Sequence, residues 1–110
     1  MRSVSLKRQR ENRRHKPIVE ALFVRDGFMC QMPRLLPDGK DHECFGPLTP
    51  HHLVKQSAGG PWTLTNMTTL CAFGNGWVED NPDDARELGL VVRYGDPDYE
   101  RLRFSEWGVS

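Results

Sequence analysis

The sequence predicts a small α+β domain, and three observations lead to this fold class. The chain has 110 residues, which is the usual size of a single domain. Two β-prone runs, residues 48–54 and 67–70, are separated by a connection that contains Gly59-Gly60. Prolines that can start helices and glycines that can end them lie on both sides of these runs. An antiparallel hairpin flanked by short helices and loops is therefore expected.

The N-terminal flank divides into a charged arm, a helix and a loop. Residues 1–16 carry seven basic side chains and one acidic one, with few large apolar residues, which predicts a disordered basic arm. Pro17 suits a first helical position, and the apolar residues after it predict a short helix that Gly27 ends. Residues 28–47 are rich in Pro, Gly and Asp, which predicts a loop that needs a cross-link to hold it on the domain.

The hairpin should be antiparallel, with a long connection over residues 55–65. Eleven residues exceed a tight turn, so we expect an Ω-like excursion in which Trp62 packs over the hairpin. A helix should begin at Asn75 after the second strand. The sequence Asn81-Pro82 predicts a further helix, with Asn as N-cap and Pro at the first position, which runs to Leu88.

The C-terminal region is predicted to hold a short strand and an acidic tail. Residues 90–94 have the composition of a short strand. Residues 95–110 form the tail, in which Phe104 and Trp107 can dock on the body. The domain itself is thus expected to cover residues 17–94.

Charge is distributed unevenly along a chain whose net charge is zero. The basic arm contrasts with residues 79–110, which carry nine acidic and four basic side chains. Such an arm suits the phosphate backbone of a nucleic acid, although a solvated tail would have the same composition. No apolar run approaches the roughly 20 residues that span a bilayer, and no apolar signal region follows the basic start. A cytoplasmic protein that has no membrane partner is expected.

Two adjacent histidines and two asparagines form the motif that carries chemistry. His51-His52 lies in the first β-prone run, Asn66 follows His52 by fourteen residues, and Asn75 follows Asn66 by nine. An imidazole with a pKa near 6.5 is a suitable general base at neutral pH, and a divalent ion can neutralise charge on a phosphoryl group. A chance His-His pair on the surface is the plain alternative for the histidines alone.

This order and spacing resemble the HNH endonuclease family in its His-Asn-Asn form. With the flanking residues, the resemblance extends over most of residues 17–94 and is strongest to small HNH proteins of phages and prophages. It implies a ββα-metal (His-Me finger) domain that holds one divalent metal ion. It also implies that His51 and Asn75 bind the metal, His52 is the general base, and Asn66 fixes the loop that aims the base.

The chain departs from the family pattern after the second strand. Gly74 stands where many relatives have a second cysteine, and Asn75 stands where they have a histidine. His51 and Asn75 are both neutral, so these two ligands supply no anion. We therefore expect weak binding of Mg²⁺ and better binding of Mn²⁺, Ni²⁺ or Co²⁺.

The three cysteines leave two interpretations open. An odd number of cysteines in a cytoplasmic chain argues against a disulfide framework. The family's structural zinc is often held by two cysteine pairs, and His42 is the nearby residue that can complete a set of four ligands with Cys30, Cys44 and Cys71. In one interpretation, these four residues bind zinc and so fix the loop. In the other, the three cysteines are buried free thiols.

The sequence therefore predicts a metal-dependent DNA endonuclease that nicks DNA or cuts both strands. The alternative is a catalytically silent, zinc-stabilised DNA-binding module with the same fold. DNA is the expected partner, and family relatives encoded beside packaging genes imply a phage terminase as a further one. The candidate phosphate contacts are Arg8, Arg10, Arg13, Arg14, Lys55 and Arg93, although each can also be an ordinary surface charge.

Overall fold

The computed structural model describes residues 6–36 and 42–106, without the side chains of residues 6–9, 11 and 12. It is a small α+β structure in which a two-stranded antiparallel hairpin is followed directly by a helix. The elements in chain order are α1 (Leu6–Arg25), α2 (Met32–Leu35), β1 (Leu48–His52), β2 (Met67–Cys71), α3 (Ala72–Asp80), α4 (Pro82–Glu87) and α5 (Tyr99–Arg103).

The hairpin forms where the β-prone runs predict it. β1 pairs with β2 so that Leu48 lies opposite Cys71 and His52 lies opposite Met67. The connection between the strands contains a 3-10 turn, Gln56–Ala58, followed by Gly59 with φ +86°. A Cβ atom on Gly60 would lie 1.7 Å from the carbonyl oxygen of Val54, so this connection can close only with glycine at position 60.

Two hydrophobic clusters fix the helices against the hairpin. The smaller cluster joins Ile18 and Leu22 of α1 to Met67 of β2. The larger cluster contains the fully buried residues Leu70 and Leu90. Its other buried members are Cys30, Met32, Cys71, Val78, Ala85 and Val91. Burial of one leucine contributes about 1.5–3 kcal/mol, so these clusters determine where the helices lie.

Helix α1 begins before the predicted start. It was expected to start at Pro17, with residues 1–16 as a disordered arm, yet residues 6–16 belong to the helix and Pro17 lies inside it. Lys, Arg, Gln and Glu are good helix formers, which accounts for an extension without an apolar face. His15 also stacks on Trp62, with ring centroids 3.9 Å apart, so this part of the helix has a tertiary contact. Residues 1–5 lie outside the described residues.

The end of α1 agrees with its predicted stop. The helix ends at Arg25, and Gly27 and Phe28 follow with φ +67° and +55°. The Asp26 carboxylate then accepts a hydrogen bond of 2.9 Å from the Thr69 backbone N–H, and the Arg25 guanidinium donates to the Met67 carbonyl at 2.7 Å. The turn after α1 is thereby fixed to β2, which places Cys30 beside the hairpin.

The predicted strand over residues 90–94 does not form. This segment has no regular secondary structure, and the Val92 N–H donates one hydrogen bond of 2.9 Å to the Leu53 carbonyl, just beyond the end of β1. The hairpin strand β1 ends at His52, so the segment has no ladder to join there. Its role is packing, because Leu90 and Val91 are buried in the larger cluster.

The region expected to be an acidic tail is partly folded onto the body. Residues 99–103 form α5, Leu102 is buried, and the hydroxyls of Thr63 and Ser105 are 2.6 Å apart. Phe104 is 70% exposed and does not dock, whereas Trp107 lies outside the described residues. No helix among the described residues is long and apolar enough to cross a membrane.

Candidate metal centre and active site

Four side chains converge at the Leu48 end of the hairpin. Cys30 follows the turn after α1, His42 and Cys44 precede β1, and Cys71 ends β2 and caps α3. The potential ligand atoms of these residues all lie within 4.8 Å of one another. We call this group the cysteine–histidine centre. It could hold a metal ion such as zinc, because three thiols and one imidazole are a standard tetrahedral zinc set.

Hydrogen bonds within the centre favour a thiolate at Cys71. Burial opposes ionisation, but hydrogen bonds from the Gly74 and Phe45 backbones and from His42 outweigh it and lower the pKa of Cys71 to about 6. Burial and the neighbouring sulfurs of Cys30 and Cys71 raise the pKa of Cys44 to about 11. Crowded thiols of this kind ionise together only when a cation lies among them, so the donor set fits a bound metal.

The absence of a side chain at Gly74 leaves room for His42 beside the three cysteines. A Cβ atom on Gly74 would lie 3.4 Å from Cε1 of His42 and 3.5 Å from Cys71 Sγ. The His42 ring therefore fills the space beside position 74, where the family pattern places a cysteine. His42 Nε2 is 3.3 Å from Cys71 Sγ and 3.7 Å from Cys30 Sγ. Since Cys44 is exposed, the interpretation of three buried thiols is wrong for that residue.

His51 and His52 line one cleft at the other end of β1. The cleft has a volume of about 640 Å³, and Asn75 and Glu79 of α3 form its opposite wall. Lys55 lies at its rim. Neighbouring side chains on a flat strand point to opposite faces, so the strand presents the two rings to the cleft from different sides. We call this site the histidine–asparagine cleft.

His51 is held in one orientation by a backbone carbonyl. Its Nε2 donates a hydrogen bond of 2.6 Å to the Leu90 carbonyl, and the side chain is buried. Burial lowers the pKa of His51, while Leu90, Asn75 and the charge of Glu79 partly offset that effect. In a neutral ring with a proton on Nε2, Nδ1 is the atom that can bind a metal, and it is also the ring atom available to the Asn75 side chain.

Asn75 is oriented through a chain of two hydrogen bonds. The Thr49 hydroxyl donates to the Leu70 carbonyl at 2.9 Å, so it must accept from Nδ2 of Asn75 at 3.1 Å. The oxygen Oδ1 of Asn75 is then the atom left for the cleft. A side-chain oxygen is the atom by which an amide binds a divalent ion.

His52 lies between the cleft and the aromatic ring of Trp62. The two rings meet edge to face with centroids 4.6 Å apart. Its Nε2 is enclosed and has no hydrogen-bond partner in the described part of the chain. Burial, together with His51 and His15, lowers the pKa of His52 to about 4. The ring is therefore neutral at pH 7, as a proton acceptor must be.

Asn66 holds the connection between the strands and does not line the cleft. It is fully buried, and its Oδ1 accepts a hydrogen bond of 2.9 Å from the Val54 N–H. Its Nδ2 donates to the carbonyls of Val54 and Pro61, at 3.1 Å each. The loop that follows His52 is thus fixed from one side chain.

The predicted phosphate contacts divide into two groups. Lys55 and Arg93 line the cleft, and Arg93 also lies 3.9 Å from Asp83. Arg10, Arg13 and Arg14 are exposed on α1, away from the cleft lining, and the side chain of Arg8 lies outside the described residues.

Glu79 is the cleft residue that the motif does not predict. It lies four residues after Asn75, so the two side chains share one face of α3. Among the described residues that line the cleft, Glu79 is the one with a carboxylate. The sequence predicted a helix from Asn75 that includes Glu79, and α3 begins three residues earlier, at Ala72. The motif gave Glu79 no role, because it specifies only the histidines and asparagines.

Comparisons with protein-family models, with curated proteins and with solved structures gave no match. The function therefore has to be inferred from these residues and their geometry.

Proposed function

We propose that this protein is a metal-dependent DNA endonuclease of the HNH type, which hydrolyses phosphodiester bonds in the histidine–asparagine cleft. One observation carries the proposal. A single cleft combines a neutral histidine, three metal-ligand candidates and two cations, His52 with His51, Asn75, Glu79, Lys55 and Arg93. This set provides a proton acceptor, a cation site and phosphate contacts, which are the requirements of phosphodiester hydrolysis.

The metal ligands in this proposal are His51 Nδ1, Asn75 Oδ1 and the Glu79 carboxylate. Their chemistry fits a divalent ion, because one imidazole nitrogen and two oxygen donors suit Mn²⁺, Ni²⁺ or Co²⁺, and the carboxylate also suits Mg²⁺. When bound, such an ion neutralises charge on the phosphoryl and leaving oxygens. Leu90 and Thr49 hold two of these ligands in place through the hydrogen bonds described above.

The chain's own residues would carry the proton and position the substrate. His52 accepts a proton from water through Nδ1, since its Nε2 is enclosed. The resulting hydroxide attacks phosphorus, and the bond to the 3′-oxygen breaks. Lys55 and Arg93 contact phosphate without reading the sequence. Asn66 keeps the segment after His52 fixed, so it is a positioning residue.

The first experiment is cleavage of supercoiled plasmid by protein carrying zinc but no other divalent ion. Mg²⁺, Mn²⁺, Ni²⁺ and Co²⁺ are then added separately. We expect open-circle or linear DNA with at least one ion, and none with His52→Ala purified in the same way. Equal cleavage by His52→Ala would indicate a contaminating nuclease and would remove the proposal's support.

One observation favours a second candidate, a catalytically silent DNA-binding module. The Nε2 atom of His52 is enclosed, and its pKa of about 4 makes the ring a weaker base than a free imidazole. This candidate predicts that the protein shifts DNA in a gel with or without divalent ions and cuts it in none of them.

We further propose that the cysteine–histidine centre binds structural zinc. The four ligands come from three separate segments, so zinc there would tie the turn after α1 and the loop before β1 to β2. A structural metal is a usual supplement for a domain of this size, whose core is small. Metal analysis of the purified protein should give one zinc per chain.

A further inference from the structure

A second groove lies beside the cleft, between α1 and the hairpin, and the proposed hydrolysis does not use it. Its volume is about 520 Å³. Its walls are largely apolar, and its rim is charged. The walls are formed by Val19, Phe23, Pro50 and Trp62, and the rim by Arg13, His15, Lys16 and Glu20. We call it the α1 groove.

The α1 groove adjoins the histidine–asparagine cleft. Pro50 lines both, and the Trp62 ring that walls the groove lies against His52, with centroids 4.6 Å apart. A nucleic-acid strand whose phosphate occupies the cleft would therefore place a neighbouring nucleotide at the groove.

The groove has the surface chemistry of a single-strand binding site. Aromatic and aliphatic walls accept the faces of bases, and cations at the rim accept phosphates. His15 stacks flat on one face of Trp62, with 4° between the ring planes, and the two rings together line the groove with planar aromatic surface. At the rim, Lys16 and Glu20 are exposed and 3.9 Å apart, so this pair contributes little and Arg13 leaves the rim with net positive charge.

We propose that the α1 groove binds an unpaired nucleotide of the DNA strand that the cleft cuts. This inference rests on the proposed function for the identity of the strand, but it concerns binding alone. In intact duplex the faces of the bases are stacked on one another and cannot reach the apolar walls. The protein should therefore prefer single-stranded, nicked or frayed DNA over intact duplex.

The test compares two substitutions on the same helix, Val19→Glu and Val24→Glu. Val19 lies in the groove, whereas Val24 is 64% exposed and outside it. Fluorescence anisotropy would measure binding of labelled oligothymidylate and of a duplex hairpin, with zinc but no other divalent ion. We expect tighter binding of oligothymidylate by the wild type, and a loss of about tenfold or more in Val19→Glu only, because stacking contributes roughly 1–3 kcal/mol per base.

A second measurement keeps the test valid if Val19→Glu fails to fold. With Trp77 and Trp107 replaced by Phe, Trp62 is the remaining indole, and oligothymidylate should quench its fluorescence in a saturable way. The duplex should quench it less at equal occupancy.

Several outcomes would overturn the inference. Equal affinity for single strand and duplex, an equal effect of both substitutions, or tighter binding of an RNA oligonucleotide of the same length would each do so. A change from dimer to monomer in Val19→Glu would show that a second copy covers the groove. If the wild type binds single strands as expected but cuts no DNA with any ion, the proposed nuclease function fails and the groove stands. If the wild type cuts DNA but binds single strands and duplex equally, the proposed binding in the α1 groove fails and the nuclease function stands.

Discussion

The two ends of the hairpin hold two sites built from different donors. At the Leu48 end, three sulfurs and an imidazole lie within 4.8 Å of one another, and two of the cysteines are buried. At the His52 end, one imidazole, one amide and one carboxylate face an open cleft of about 640 Å³. Closed, thiol-rich sets are typical of structural zinc, and open sets of nitrogen and oxygen donors leave room for a substrate. Under the proposed functions, one short hairpin therefore separates a stabilising metal centre from a catalytic site.

The largest effect should come from breaking the closed site. Cys71→Ala removes a buried ligand, and structural zinc contributes about 10–16 kcal/mol in zinc-finger peptides at pH 7. We expect loss of zinc by metal analysis and loss of cooperative thermal unfolding by circular dichroism. Asn75→Ala, in the cleft, should keep both. A Cys71→Ala protein that unfolds at the wild-type temperature would contradict a structural role for the centre.

A substitution in the histidine–asparagine cleft should lower the rate of DNA cleavage and leave the zinc content unchanged. Glu79→Gln removes the cleft's carboxylate and should lower cleavage by about 100-fold or more, since even outer groups around a metal contribute 10–100-fold. Glu87→Gln is the matched control, because Glu87 is exposed on α4 outside the cleft. The measurement is the initial rate of plasmid nicking at several Mn²⁺ concentrations. Equal rates for the two variants would exclude Glu79 from the site.

Asn66→Ala tests the loop that follows the cleft's histidines. The substitution leaves the N–H and carbonyl of Val54 and the carbonyl of Pro61 without their partner, at a cost of about 2–4 kcal/mol. Urea unfolding would measure this cost. Ser57→Ala, at an exposed position of the same connection between the strands, is the control. Zinc content should not change. A midpoint equal to that of Ser57→Ala would mean that the loop does not depend on these bonds.

The histidines make stability depend on pH. The pKa of His52 is about 4 in the folded state and near 6.5 when unfolded, so between these values the unfolded state binds the proton first. Stability should therefore be fully present above pH 6.5 and should fall as the pH drops toward 4. Urea unfolding at several pH values would show a smaller fall in His52→Gln than in the wild type. Parallel curves would contradict the lowered pKa.

The smallest effect should come from exchanging the fourth ligand of the closed site. Gly74→Cys places a Cβ atom at ordinary contact distance from His42, so the substitution alone should change stability by only about 1 kcal/mol. In His42→Ala, which should lose zinc affinity, Gly74→Cys should restore it. Competition with a chromogenic chelator would measure both affinities. No recovery would mean that position 74 cannot direct a sulfur into the centre.

Local signals predicted the hairpin and the helix after Asn81, and long-range contacts decided the elements that were mispredicted. Residues 67–71 form a strand from their own composition, and Pro82 starts α4 as expected. The early start of α1 combines helix-forming residues with a contact between His15 and Trp62, which are 47 positions apart. The absence of a strand at residues 90–94 depends on where β1 ends. Neither the contact of His15 with Trp62 nor the end of β1 at His52 is contained in a local sequence pattern.

The sequence predicted which residues form the candidate sites better than it predicted how their side chains are arranged. The motif named His51, His52 and Asn75, and one of the two interpretations of the cysteines named the four residues of the closed centre, with His42 as the nearby fourth ligand. Glu79 required the register of α3, and the fit of His42 beside Gly74 required coordinates. Spacing identifies which residues have suitable chemistry, but the direction of each side chain is set by tertiary packing.

The pairing of β1 with β2 has a consequence for which histidine does which task. Side chains alternate along a strand, so a slip of one residue would exchange the faces of His51 and His52. Cys71 anchors one end of this pairing opposite Leu48, and Asn66 anchors the turn beyond the other end. If the cysteine–histidine centre holds zinc as proposed, a chain that pairs its strands without zinc would lack the first anchor. Under the proposed roles, a misaligned hairpin would then present His52 where His51 belongs, so zinc binding before strand pairing would favour the register that assembles the cleft.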